Sequence, residues 1–80
     1  MSAVDVPFPA MSKEDPTAEG IVGTWFVHDG QAVTAGQLLA EVQVEKVSQD
    51  VVAPVAGVIR LLASEEASVR QGDLIATIES

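Results

Sequence analysis

Gly36-Gln37-Leu38-Leu39-Ala40-Glu41-Val42 returns later in the chain as Gly72-Asp73-Leu74-Ile75-Ala76-Thr77-Ile78. The match extends outward from this stretch. Gly20-Ile21-Val22 is echoed by Gly57-Val58-Ile59, and Val33 by Val69. The offset shortens from 37 to 36 residues because one residue is lost between Asp29 and Val33. Matched glycines at a nearly fixed offset mark an internal repeat of two β-units. Each unit alone is too thin to bury its apolar side, so the two are expected to face one another as a pseudo-twofold pair of sheets.

The rest of the pattern agrees. Short runs rich in Val, Ile, Leu and Thr are separated by Gly, Pro and Asp, and none sustains a period of 3.6 residues. They predict strands near 3–8, 20–27, 38–44, 47–53, 57–63 and 73–79. A helix could start only at Ser12, and Pro16 limits residues 12–19 to a turn at most. The expected class is all-β. Eighty residues suffice for one domain, expected to span 1–80 with half-repeats of about 4–44 and 47–79.

Composition excludes several kinds of function. The net charge is −8 and the fixed cations are Lys13, Lys46, Arg60 and Arg70, which argues against nucleic acid and against anionic lipid. With no cysteine there is no disulfide, thiolate metal site or thiol catalysis. No run approaches the roughly 20 apolar residues of a membrane helix. Residues 1–15 lack a basic start followed by an apolar run, so a cytoplasmic location, or a mitochondrial matrix if the source is eukaryotic, is expected. The isolated domain is expected to be a monomer.

The halves join at Gln43-Val44-Glu45-Lys46-Val47-Ser48-Gln49-Asp50. The hairpin there is expected to protrude, to lie on the symmetry axis and to carry Glu45-Lys46 at its tip. Without the Asn-Gly or Asp-Gly that favours tight hairpins, composition makes this a mediocre turn, though a type I turn would accept these residues. Lys46 is one of two lysines, and most lysines simply hydrate a surface. Its position at the joint sets it apart. Its sequence neighbours are acidic, Glu45 with Glu41 and Asp50, and supply nothing to activate an amine, so it is not expected to be a self-activated nucleophile.

Other candidates are weaker. His28 stands beside Asp29 with no second His or Cys, and is expected to be an exposed residue leading into the Asp29-Gly30 turn. Glu65-Glu66 are adjacent and are not expected to converge as a carboxylate pair. Gly20-x-x-Gly23 lacks the strand-to-helix setting of a phosphate loop. Trp25 is expected to pack on the core. Residues 9–18 are polar and proline-bounded, hence a surface loop.

Taken together, Glu19-Gly20 with Trp25, Gly30-x-x-Val33-x-x-Gly36-x-x-Leu39, Glu45-Lys46-Val47 and Ala53-Pro54-x-x-Gly57 resemble the lipoyl domains of 2-oxo acid dehydrogenase complexes over nearly the whole chain. The resemblance implies a flattened barrel or sandwich of two four-stranded antiparallel sheets, with the first and last strands side by side opposite the hairpin. It implies lipoic acid in amide linkage to Lys46, with Glu45 and Val47 in the turn that a lipoate ligase or lipoyl transferase reads. The domain would itself catalyse nothing. It would carry acyl groups and reducing equivalents between 2-oxo acid decarboxylase, acyltransferase and dihydrolipoamide dehydrogenase components. Loop 9–18 would contribute to recognition by those partners. The family's usual Asp-Lys-Ala stands here as Glu45-Lys46-Val47. The rival is a biotin carrier of a biotin-dependent carboxylase, which resembles this fold but typically flanks its lysine with methionines. The only methionines here are Met1 and Met11. The glycine-cleavage carrier is also similar, but has elements for which this chain is too short.

Overall fold

A computed structural model describes residues 2–80. Eight strands follow in order: β1 (Ala3–Pro7), β2 (Glu19–Trp25), β3 (Ala32–Val33), β4 (Leu38–Val44), β5 (Val47–Val52), β6 (Gly57–Leu61), β7 (Ser68–Arg70) and β8 (Leu74–Glu79). Every pairing is antiparallel, and the strands form two sheets, β1-β8-β6-β3 and β5-β4-β2-β7. The all-β sandwich of two four-stranded sheets is thus as the sequence led us to expect. β3 and β7 were not anticipated. At two and three residues they are too short to display an alternation.

The repeat becomes a rule of topology. Replacing β1, β2, β3 and β4 by β5, β6, β7 and β8, and the reverse, turns one sheet order into the other. Inward cross-strand pairs obey the same rule: Val22↔Val42 in one sheet corresponds to Ile59↔Ile78 in the other, and all four are fully buried. Phe8, Leu39 and Ile75 complete the largest buried side chains between the sheets. Each such side chain contributes about 1.5–3 kcal/mol by leaving water. No side chain among the described residues is both polar and buried.

The matched glycines have a steric cause. A Cβ on Gly20 would collide with the Gln43 carbonyl oxygen and the Phe8 ring, and one on Gly57 with the Glu79 carbonyl oxygen. Both halves therefore need glycine where a strand crosses close over backbone.

The symmetry corrects one expectation. β4 and β5, joined by the hairpin, correspond to β8 and β1, which pair side by side with Ala3 opposite Glu79. A twofold that exchanges the hairpin with the chain ends cannot pass through the hairpin. The hairpin lies off the axis, at one end of a molecule measuring 36 × 20 × 19 Å. β1 starts beside Glu79 and ends at Pro7; the ring of the next residue, Phe8, abuts Gly20 next to Gln43 and Val44 at the base of the hairpin. The terminal strands do lie side by side, with their outer ends remote from Lys46.

Candidate functional site

The β4–β5 ladder runs Glu41↔Asp50, Val42↔Gln49, Gln43↔Ser48 and Val44↔Val47, leaving Glu45 and Lys46 as a two-residue loop. Val42 and Val44 are buried and fix which face of the strand turns inward. Tight two-residue hairpins need positive φ at their first central residue to match the twist of the strands. Glu45 supplies it, at φ 55. The turn is therefore not the type I that these residues would accept, which has negative φ at both central residues. Lys46 is not among the positive-φ residues, so the turn is not type I′ either, which needs positive φ at both central residues. A left-handed conformation costs a non-glycine residue about 1–2 kcal/mol, sustained here by the ladder on either side.

Glu45, Lys46 and Val47 are all exposed, Val47 to 59%, so the three residues singled out from sequence stand together at the tip. Glu41 lies three residues before the turn and faces Asp50 across the ladder.

Beside the tip lies the β1–β2 loop. Met11, Ser12, Lys13 and Glu14 join Val44, Glu45 and Val47 in lining a groove of about 200 Å³. The loop has a turn rather than a helix. Ser12 Oγ accepts from the Asp15 amide, Asp15 Oδ1 accepts from the Thr17 amide and hydroxyl, and the Ala18 amide donates to the Asp15 carbonyl. Its first residue, Phe8, is anchored through its amide to the Asp73 carbonyl (2.8 Å) and through its carbonyl to the Gly72 amide (2.9 Å).

The residue that organises this loop was not singled out from sequence. Gln71 Oε1 accepts from the amides of Met11 (2.7 Å) and Ser12 (2.8 Å). Its Nε2 donates to the carbonyls of Asp15 (3.2 Å) and Ala18 (2.9 Å). A signal was present: in the repeat, Gln71-Gly72 stands where the first half has Ala35-Gly36.

The remaining candidates are structural. His28 is exposed, its amide donating to Gln31 Oε1 and its carbonyl accepting from the Gln31 amide. Trp25 is packed against the core, and its Nε1 donates to the Ala63 carbonyl (2.9 Å). Glu65 and Glu66 do not converge. Glu65 Oε2 accepts from the Trp25 amide (2.7 Å), while Glu66 adopts φ 66 and donates its amide to the Val22 carbonyl. Gly23 lies within β2. No group of three or more potential metal ligands occurs among the described residues.

Comparisons with known proteins agree with this geometry. Residues 4–78 match the biotin/lipoyl family model, described as "Biotin-requiring enzyme". The chain is 32% identical to the dihydrolipoyllysine-residue succinyltransferase component of the 2-oxoglutarate dehydrogenase complex of Cupriavidus necator, over 100% of this chain and 19% of that protein. It is 34% identical to the dihydrolipoyllysine-residue acetyltransferase component of the pyruvate dehydrogenase complex of Zymomonas mobilis, over 95% of this chain and 17% of that protein. The chain thus spans under a fifth of the length of these relatives. The solution structure of the lipoyl domain of the 2-oxoglutarate dehydrogenase complex from Azotobacter vinelandii matches with a TM-score of 0.78 and 28% identity, covering 96% of each chain. Built as two exchanged four-stranded sheets with a lysine at an exposed hairpin tip, this chain belongs to the biotin/lipoyl family, and within it to the lipoyl-domain type.

Proposed function

We propose that this domain is a swinging-arm carrier that takes lipoic acid in amide linkage on Lys46. The observation that carries the reading is the exposed Lys46 at the tip of the two-residue β4–β5 loop, in a chain whose relatives are named for a dihydrolipoyl-lysine. The donor chemistry fits. A primary amine on a flexible stem, clear of the sandwich, can enter a ligase that supplies an activated lipoyl group. Lys46 Nζ forms the amide bond, gives up a proton, and the activating group departs. When bound, the dithiolane supplies acyl transfer and two-electron redox chemistry.

The chain's own residues contribute presentation. Buried Val42 and Val44 hold the hairpin rigid from below, and Glu45 and Val47 frame the lysine for the ligase. The domain catalyses no step. Tethered within a complex, it raises the local concentration of its arm at 2-oxo acid decarboxylase, acyltransferase and dihydrolipoamide dehydrogenase sites. Biotin is the second reading, because the family model covers both attachments. Glu45 and Val47 in place of flanking methionines favour lipoyl.

The test is co-expression with a lipoate ligase, and separately with a biotin ligase, followed by intact-mass measurement. Wild type and Lys13→Arg should gain one lipoyl group, and Lys46→Arg none. Lipoylation of Lys46→Arg, or a biotinyl gain in place of a lipoyl one, sinks the reading. Neither modification would leave a docking module.

A further inference from the structure

The two halves differ most in one place. The β1–β2 connection, residues 8–18, is long, whereas its counterpart between β5 and β6 is only residues 53–56. Under the exchange of strands the short connection belongs to the end with the chain termini. The long one belongs to the end with Lys46. The extra length therefore lies where it lines the groove beside Glu45 and Val47.

Buried Phe8 and the core-packed Met11 and Ala18 hold the two ends of the loop, while most of residues 12–17 are exposed. The polar stretch between those ends is tied down by the half-buried Gln71. Its carbonyl oxygen takes two amide donors from Met11 and Ser12, and its two N–H bonds reach the carbonyls of Asp15 and Ala18. Every strong hydrogen-bonding position of the side-chain amide is used, all toward one loop. The equivalent residue in the other half, beside the short connection, is Ala35, which has no such group. The departure from symmetry in the side chain thus accompanies the departure in loop length.

We propose that Gln71 is a positioning residue for partner recognition: it fixes residues 11–15 against the Lys46 hairpin. Loop and tip then form one preformed surface for the enzyme that loads the arm. This rests on the carrier reading above. On this proposal the acylating enzyme contacts loop and tip together, whereas the lipoate ligase contacts the tip alone. Without Gln71 the loop must be ordered at each encounter, which weakens association without altering the chemistry that follows.

The experiment uses lipoylated wild type, Gln71→Ala and Gln71→Glu as substrates for purified 2-oxo acid decarboxylase components acting on pyruvate and on 2-oxoglutarate. In Gln71→Ala the amides of Met11 and Ser12 should lose hydrogen-exchange protection. The KM of the domain should rise about five- to tenfold with kcat unchanged, and the rate of lipoylation should stay at the wild-type value. Gln71→Glu keeps the two acceptor bonds and loses both donors, so its KM should fall between the two. It also serves if Gln71→Ala does not fold. Val33→Ala, in the core at the other end, controls for lost stability: it should lower the melting temperature without raising KM. An unchanged KM despite exchanging amides overturns the proposal, as do amides that remain protected. A wild type that takes no lipoate refutes the carrier reading instead, and mass spectrometry tells the two failures apart. A wild type that is lipoylated but acylated by neither component refutes the partner recognition on which Gln71 would act.

Discussion

Individual residues in this protein are set by how close two backbones come. Gly20 lies where β2 crosses both the Gln43 carbonyl and the Phe8 ring, with no room for a methyl group. Gly20→Ala should therefore destabilise the domain by about 2–3 kcal/mol, read as a lower urea midpoint at unchanged slope. A change below about 0.5 kcal/mol would mean that Phe8 can move aside. Glu45 is the opposite case, a side chain kept where backbone conformation would prefer glycine. Glu45→Gly should stabilise the domain by about 0.5–1 kcal/mol in the same experiment. If the ligase reads the Glu45 carboxylate, the same substitution slows lipoylation. Stability and recognition then pull in opposite directions at one position. The sequence displayed Lys46, its neighbours and the matched glycines. It hid the sign of φ at Glu45, because glutamate does not signal a left-handed turn. It also hid Gln71, whose four partners lie more than fifty positions away in the chain.

Among the elements, comparison between the halves shows which details the sheet requires. The repeat loses its residue earlier than the sequence suggested, at the β2 irregularity between Val22 and Thr24 rather than after Asp29, so the Asp29-Gly30 turn in the first half corresponds to Glu65-Glu66 in the second. Asp29 Oδ1 accepts from the Leu61 amide just as Glu65 Oε2 accepts from that of Trp25. Gly30 has φ 86 and Glu66 φ 66, so the second half performs the same turn with a residue that resists it. Glu66→Gly should raise stability by about 0.5–1 kcal/mol, checked by thermal melting. The β4–β5 ladder also sets Glu41 opposite Asp50, where the other half pairs Thr77 with Asp5. Like charges directly opposite are unfavourable. Asp50→Asn should gain a few tenths of a kcal/mol at low salt, and the gain should shrink as ionic strength rises. The long strands were legible because their apolar residues alternate or run together. β3 and β7 were not, because two or three residues carry no period and are defined by the neighbours they join.

At the scale of the whole molecule the halves are interleaved. Each sheet takes two strands from each half: β1 and β3 lie with β6 and β8, and β2 and β4 with β5 and β7. Neither half owns a sheet. A fragment of residues 1–44 should be unfolded by circular dichroism, and the whole domain should melt in one cooperative step. Two separate transitions would contradict the shared core. The repeat disclosed the pairing of halves but not this interleaving, since offset alone does not say which strands become neighbours.

The interleaving also gives the molecule a second, unused pole. The Ser80 amide donates to the Ser2 carbonyl (3.2 Å), and the register Ala3↔Glu79 corresponds to Ser48↔Gln43 beside the Lys46 loop. Ser2 and Ser80 thus occupy the places that Val47 and Val44 hold at the other end. A two-residue link between them would close a hairpin of the same register. The chain could then be opened at the exposed Pro54 in the short β5–β6 connection. Such a circular permutant would begin and end in what is now a connection and would carry a tight turn at each pole. Placing Glu-Lys in the new turn would give a carrier with two attachment lysines. Its second turn would lack the long loop, so what the ligase needs could be read separately from what the acylating enzyme needs, within one molecule.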